Sequence, residues 1–163
     1  MPTPVFALII GINKYQTAEY PSLKVAVKDA DAFEYFLTGR LGVPPANIIS
    51  LRDERATRDA IISSFSSLMD NVNIKKDESA ILIYFAGHGA RTEKPVGWED
   101  WETNGSQIEM MCPTDIGTVR FTKMGEEQLT GIPDRTISVL LNHLSSVKGN
   151  NIVSHRPMRR HPD

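Results

Sequence analysis

One histidine stands out because of its neighbours in the sequence. His88 lies between Gly87 and Gly89, directly after the apolar run Ala80 to Phe85. In open α/β sheets, reactive groups gather beyond the carboxyl ends of buried strands, and an imidazole there can act as a general acid or base. Flanking glycines let a backbone N–H approach a carbonyl oxygen, so Gly89 is a candidate oxyanion donor. A strand-exit turn with an incidental histidine would give the same pattern.

The elements around this histidine are predicted by hydrophobic periodicity. Continuous apolar runs predict core strands at Val5–Ile10, Asn47–Leu51 and Ala80–Phe85. Helical spacing predicts a helix from Ser22, as N-cap, to Leu41. It also predicts helices from Thr57, again the N-cap, and after Asp134. The last helix directs Ile137, Leu140, Leu141, Leu144 and Val147 to the core and ends at Gly149. This alternation indicates a layered α/β fold with a mostly parallel sheet.

The remaining segments lack such periodicity. The stretch from Arg91 to Ser106 is predicted to be a long surface loop. Ile108–Cys112 and Thr118–Thr122 are predicted to pair as a hairpin outside the main sheet. A further strand begins after Asn151, but residues 153–163 are polar and contain two prolines, which predicts a disordered tail.

Composition limits the classes of protein. A chain of 163 residues with 40% hydrophobic and 23% charged residues is typical of one globular domain. A net charge of -2 gives no reason to expect nucleic acid or a membrane surface as the partner. The single cysteine cannot form an intrachain disulfide, which favours a cytoplasmic or nuclear location. No signal peptide or membrane span is predicted.

Several segments resemble the caspase and metacaspase family, in particular fungal caspase-domain proteins. They are Ala7-Leu-Ile-Ile-Gly-Ile-Asn-Lys-Tyr15, Leu23 with Lys28-Asp29-Ala30, Ile83-Tyr-Phe-Ala-Gly-His-Gly89, Cys112-Pro-Thr-Asp115 and Gly149-Asn-Asn-Ile152. The resemblance implies a caspase-like three-layer sandwich with a mostly parallel central sheet and with its C-terminal strands missing. The domain, an incomplete large-subunit part, would span residues 1–152, with 153–163 as a tail outside the family.

The resemblance also implies a cysteine-type endopeptidase in which His88 is the general base or proton shuttle and a thiolate attacks the peptide carbonyl. The family nucleophile lies in an Asp-x-Cys-like motif on the strand that begins near Asn151. That register falls near Met158 and Arg159, where this chain has no cysteine. Cys112 follows His88 by only 24 residues, against about 50 in the caspase pattern. We therefore expect Cys112 not to be the nucleophile and this chain alone to be inactive.

A substrate-binding residue follows from the same resemblance. In metacaspases, the aspartate that matches Asp29 lines the specificity pocket and pairs with a substrate arginine or lysine. A carboxylate favoured by the dipole in the first turns of a helix is an equal alternative. Ala26 and Ala86 stand where many metacaspases have a small polar residue or a cysteine, so glutamine or acidic preferences stay open.

No cofactor is expected. Metacaspases are activated by calcium at acidic clusters after the histidine motif, but the run Glu99, Asp100 and Glu102 lacks the spacing of a calcium loop. Ile108 replaces the aspartate that commonly precedes Glu109. The four histidines and Cys112 show no zinc-ligand spacing, so no metal is predicted.

Three functions remain open. The first is a fragment of a cysteine endopeptidase that acts on peptides or proteins in its intact form, with a role in cell death implied by resemblance. The second is a non-catalytic interaction module that pairs with an intact caspase-like partner chain. The third is an unrelated α/β nucleotide-binding domain, although Gly11 opens no phosphate-binding motif.

Overall fold

The fold is built on a twisted central sheet. The computed structural model describes residues 3–101, 105–156 and 158–160, the last three by their backbone alone. The strands are β1 Val5–Gly11, β2 Ile48–Arg52, β3 Ala80–Glu93, β4 Gln107–Met111, β5 Val119–Thr122, β6 Gly125–Gln128, β7 Ile132–Pro133, β8 Ile152–His155 and β9 Met158–Arg160. The main sheet has the order β2-β1-β3-β4-β7, with β8 and β9 also on β3, while β5 and β6 form a separate pair.

Most strand pairs of the main sheet are parallel. β1 pairs in parallel with β2 and β3, and β3 pairs in parallel with β8 and β9. Only β4 is antiparallel to its neighbours β3 and β7. The side chains from Phe6 to Ile10 are buried on both faces of β1, which explains why this strand is a continuous apolar run. The predicted mostly parallel sheet is confirmed.

Helices cover both faces of the sheet. They are α1 Ala26–Tyr35, α2 Arg58–Asp70 and α3 Asp134–Lys148. Alternate residues of β3 belong to two cores: Ile83 and Phe85 pack in the core of α2 and α3, whereas Tyr84 and Ala86 pack in the core of α1. The three-layer α/β sandwich predicted from the sequence is confirmed. Among the described residues, no helix is long and apolar enough to cross a membrane.

The first helix begins later than predicted. Ser22 is not its N-cap, because α1 starts only at Ala26. Asn13 instead holds the entry to the helix: its backbone oxygen accepts from Leu23 N at 2.7 Å, and its side chain accepts from Val27 N at 3.3 Å. At the other end, α1 continues as a π-helical turn, Phe36–Arg40. Asn13, just after β1, therefore helps to set the path of the segment that leads into α1.

The ends of the other helices agree with the sequence. Thr57 caps α2 by accepting from Ala60 N at 3.2 Å, as predicted. Helix α3 ends at Gly149, whose φ of +91° favours glycine. Its core stripe is confirmed at Ile137 and Leu144, which are buried, and at Leu140 and Leu141, which are partly buried against the same core. Val147 is 41% exposed and does not face the core as predicted.

Strand β3 does not turn at the glycines. It continues through Gly87, His88 and Gly89 to Glu93, so the strand does not end at Phe85 as predicted, and the predicted loop begins only at Lys94. Gly87 is needed for space: an added Cβ would lie 2.7 Å from the Phe85 ring and 3.1 Å from the Tyr15 hydroxyl. His88 is thus presented from within a strand.

Two further predictions differ from the structure. Ile108–Cys112 and Thr118–Thr122 do not pair with each other, because β4 joins the main sheet and β5 pairs with β6. The predicted disordered tail is replaced by strand structure over Val153–His155 and Met158–Arg160, since the edge of β3 offers backbone partners. Residues 157 and 161–163 lie outside the described residues. The domain boundary at residue 152 stays a prediction.

The close contact between β1 and α1 at Gly11 generates a stability prediction. An added Cβ at Gly11 would lie 2.6 Å from Ala30 Cβ and 3.1 Å from Ala26 O. Gly11→Ala should therefore lower the free energy of unfolding by about 1–3 kcal/mol, measured by urea denaturation. Ala30→Gly in the same chain removes the facing methyl group and should recover part of the loss. A Gly11→Ala chain as stable as the original would contradict this packing.

Candidate functional site

His88 lies where β3 exchanges one neighbouring strand for another. The pairing with β1 ends at Gly11 opposite Ala86, and the pairing with β4 begins at Gly89 opposite Met111. Between them, His88 N donates to the Tyr15 hydroxyl at 2.8 Å, and His88 O accepts from Cys112 N at 3.0 Å. The histidine is 3% exposed. Its main chain is therefore fixed by groups outside the β1 and β4 ladders.

The imidazole is oriented by a backbone carbonyl. His88 Nε2 lies 2.8 Å from Pro21 O, in the segment between β1 and α1. A carbonyl oxygen can only accept, so Nε2 must carry the hydrogen. In the neutral ring, this tautomer makes Nδ1 the nitrogen that can accept a proton. The contact therefore fixes which ring nitrogen of His88 carries the hydrogen.

Two tyrosines surround the ring. The ring centroid of Tyr15 lies 5.0 Å from that of His88, and the centroid of Tyr20 lies 6.3 Å away. Burial raises the pKa of Tyr20 to about 12 and also raises the pKa of Tyr15 well above its usual range. Both phenols are therefore neutral at physiological pH. They form an aromatic wall that shields the imidazole from water.

The segment that carries Tyr15 and Pro21 is held from two sides. Asp53, whose φ is +41°, accepts through Oδ1 from Asn13 N at 2.7 Å and Lys14 N at 2.9 Å. From the other side, the Thr114 hydroxyl donates to Lys14 O at 2.8 Å, and Thr114 O accepts from Gln16 N at 2.9 Å. These bonds hold Asn13, Lys14 and Gln16, so the part of the segment around Tyr15 has little freedom. Its hold on His88 is built into the fold.

Cys112 is bonded to His88 through its main chain, and its thiol also acts electrostatically on Tyr15 and Tyr20. Its side chain is fully buried, and burial raises the pKa of the thiol to about 12. The thiol is therefore protonated at neutral pH and packs as a small apolar group.

The other two predicted site residues lie at different distances from His88. Gly89 follows it directly and lies in register with Met111 of β4 and Arg160 of β9. Asp29 lies exposed in the first turn of α1. Its charge adds to the effect of burial in raising the pKa of Tyr84. Tyr84 is four residues before His88 on the same face of β3, which is roughly 13 Å along the strand. Asp29 is thus on the side of the sheet that His88 faces, but not in contact with it.

The acidic run after β3 is engaged in other contacts. Asp100 forms an ion pair with Arg135 at 3.3 Å, and Glu99 accepts from Gly97 N at 3.0 Å. The Arg135 guanidinium also lies 5.0 Å from the Trp98 ring centroid and 5.5 Å from that of Trp101. Glu102 lies outside the described residues. Within the described ranges, no group of three or more His, Cys, Asp or Glu side chains could hold a metal ion. The absence of calcium and zinc stays a prediction.

Comparison with known proteins identifies the family. The family model described as Caspase domain matches residues 5–130, which include Asp29, His88 and Gly89. The chain belongs to the caspase domain family. The family predicted from the sequence is confirmed.

A solved structure supports the fold of this caspase domain. A crystal structure of a protein from Geobacter sulfurreducens superposes with a TM-score of 0.63 at 17% sequence identity. The match covers 93% of this chain and 48% of that one, so the chain spans about half the length of the solved protein. At this identity the likeness shows the fold alone. No curated protein matches the chain.

Sequence reasoning found the histidine of this caspase domain but not the groups that hold it. Pro21 acts through a carbonyl, which every residue type possesses, so its identity carried no signal. Asp53 acts through a carboxylate that accepts from amides 40 and 39 residues away in the sequence, and such a distant contact leaves no local sequence signal. Tyr15 was detectable, because it closes the motif from Ala7 that carries the family resemblance. Thr114 lies in another such motif, Cys112-Pro-Thr-Asp115.

The burial of Cys112 generates a reactivity prediction. Since an ordinary thiol has a pKa near 9, the raised value should lower the thiolate fraction at pH 8 about a thousandfold. Alkylation by iodoacetamide, followed by mass spectrometry, should therefore be slow in the folded chain and become rapid in urea. Ser66→Cys on the exposed side of α2 provides the matched control and should react at the normal rate. Equal rates at the two cysteines in the folded state would disprove the burial.

Proposed function

We propose that this caspase domain is the histidine-bearing part of a cysteine-type endopeptidase and that the chain alone does not cleave peptides. The observation that supports this proposal is the 2.8 Å contact between His88 Nε2 and Pro21 O. A carbonyl that fixes one ring nitrogen as a donor leaves the other to take a proton from a thiol. Such an arrangement is expected in a general base.

The proposed reaction needs four groups. The imidazole of His88 removes a proton from a cysteine thiol, and the thiolate attacks the carbonyl carbon of the scissile peptide bond. The Gly89 N–H stabilises the negative charge that develops on the carbonyl oxygen. The imidazolium returns its proton to the leaving amine, and a thioester remains. Water, activated by the same imidazole, then hydrolyses the thioester and restores the thiol.

The proposed position of the nucleophile is the start of β9. Arg159 lies in register with His88, and Met158 lies in register with Gly87. Neighbouring strands are about 4.8 Å apart, so a cysteine at either position would have its backbone beside the histidine. The N–H and C=O of His88 point to Tyr15 and Cys112, which places β9 along the opposite edge of β3. The single cysteine of the chain therefore approaches His88 from the wrong edge.

Substrate class and setting complete the proposal. Caspase domains act on proteins, and the exposed carboxylate of Asp29 suits an arginine or lysine side chain of such a substrate. This preference is weakened by Ala26, which stands beneath the same turn of α1. The nucleotide-binding alternative gains no support, since Gly11 serves the contact between β1 and α1. A single buried thiol is compatible with the cytoplasm or nucleus.

The proposal is tested by placing a thiol beside His88. In a Cys112→Ala background, Arg159→Cys and Met158→Cys should give at least one thiol that iodoacetamide alkylates about tenfold faster at pH 6.5 than Ser154→Cys on β8. Peptides with arginine, lysine, glutamine or aspartate before the scissile bond should show no turnover with the original chain or with Cys112→Ser.

The control is His88→Ala in each cysteine variant, which should abolish the rate advantage. An advantage that persists without the imidazole, or thiols that react no faster than Ser154→Cys at both positions, would refute the proposed dyad. Turnover by the original chain that is lost in Cys112→Ser would refute the proposed inactivity.

A second function is favoured by one edge of the sheet. Among the described residues, β8 pairs with β3 alone, and Val153 on β8 is 59% exposed. An exposed strand edge with an apolar side chain is a site for pairing with another strand. We propose that a caspase-like partner chain binds there, which would make this chain a non-catalytic interaction module.

The edge hypothesis predicts a selective loss of binding. The probe is an intact caspase-family chain that carries the Asp-x-Cys motif, titrated by isothermal calorimetry. Val153→Lys should weaken binding at least about tenfold, because a desolvated lysine in a strand interface is costly. Val72→Lys, at a position that is 76% exposed, should leave the affinity unchanged. Equal effects of the two lysines, or no binding at micromolar concentration, would exclude this edge as the interface.

A further inference from the structure

The hydroxyl of Tyr15 accepts a hydrogen bond from β3 where a backbone carbonyl of β1 would do so if β1 continued. Strand β1 ends its pairing with β3 at Gly11 opposite Ala86, and Ile12 N still donates to Ala86 O at 2.9 Å. Two residues further along β3, the acceptor for the main chain comes from a side chain: His88 N donates to the Tyr15 phenol oxygen at 2.8 Å. A phenol thus continues the hydrogen-bonding edge that β1 has left.

The same side chain also touches the ring of the histidine. The Tyr15 and His88 centroids are 5.0 Å apart with an interplanar angle of 49°, which is contact between tilted rings. One residue therefore fixes both the backbone and the imidazole of His88. The space for this contact depends on Gly87, where an added Cβ would lie 3.1 Å from the Tyr15 hydroxyl.

Tyr15 is itself held in place. Its predecessor Lys14 is bonded through N to Asp53 Oδ1 at 2.9 Å and through O to the Thr114 hydroxyl at 2.8 Å. Its successor Gln16 is bonded through N to Thr114 O at 2.9 Å. The residues on both sides of Tyr15 are thus bonded to other elements, so its backbone, and with it the position of its hydroxyl, is restricted. Its pKa, raised by burial, keeps it a neutral acceptor.

We propose that Tyr15 is the positioning residue that sets the imidazole of His88 against the Pro21 carbonyl. The hydroxyl anchors the His88 amide, the ring limits rotation about the side-chain bonds, and Nε2 is thereby kept within 2.8 Å of its acceptor. Tyr15 does not touch a substrate in this role. The inference rests on the proposed function only for the role of His88 as a general base.

The test compares two tyrosine-to-phenylalanine changes. Tyr15→Phe keeps the ring and removes the acceptor, so the His88 amide should exchange with deuterium about tenfold faster. In nitrogen NMR of the imidazole, the Nε2–H signal should weaken as the other tautomer becomes populated. Tyr84→Phe lies on the same face of β3 and should leave both signals unchanged. His88→Ala identifies the ring resonances among the four histidines of the chain.

Both readouts are independent of any cysteine, so they distinguish this inference from the proposed dyad. When Tyr15→Phe is added to Arg159→Cys, the His88-dependent alkylation rate should also fall. If Arg159→Cys shows no His88-dependent alkylation, the NMR test of Tyr15 still applies. Unchanged amide exchange and an unchanged Nε2–H signal in Tyr15→Phe would overturn the proposal. If Tyr15→Phe does not fold, 3-fluorotyrosine at this position supplies a weaker acceptor and should shift the His88 amide proton upfield. No such shift would equally overturn it.

Discussion

Strand β3 changes its neighbours at His88, and the main chain there still has to be hydrogen bonded. A buried N–H or C=O without a partner costs about 1–3 kcal/mol, so the fold must supply groups from outside the ladders. It uses the Tyr15 phenol as the acceptor for the His88 N–H and the amide of Cys112, the first residue after β4, as the donor to the His88 C=O. The position of the imidazole, its tautomer and the order of the preceding segment all follow from how this gap between strands is filled.

The imidazole is buried beside two phenols, on which the carboxylates of Asp53 and Glu19 also act. Burial raises the pKa of two phenols and of the only thiol, so none of these groups carries a charge near pH 7. In such an environment, a backbone dipole such as the Pro21 carbonyl acts on the ring with little screening. In the proposed dyad, the Pro21 carbonyl would orient the ring as a carboxylate does in serine-peptidase triads.

The sequence was informative where a feature depends on residue type and periodicity. The buried runs of β1 and β3, the cap at Thr57 and the stop at Gly149 could be predicted, because each has a physical preference for those residues. The path of the chain through Gly87 and Gly89 could not. Glycine permits both a turn and close packing, and only the position of the Phe85 and Tyr15 side chains decides between them. The same limit applies to Ser22, whose capping role was lost to the distant Asn13.

Both tryptophans of the chain stand on one short segment and share one cation. The intrinsic fluorescence of the protein is therefore a report on residues 98–101 and Arg135 rather than on the sheet. Segments of this kind can open with much less free energy than the whole domain. Denaturation curves monitored by tryptophan emission and by circular dichroism coincide only if the segment and the sheet unfold in a single step. Tryptophan fluorescence of this chain thus reports on the attachment of the loop to α3 rather than on the unfolding of the sheet.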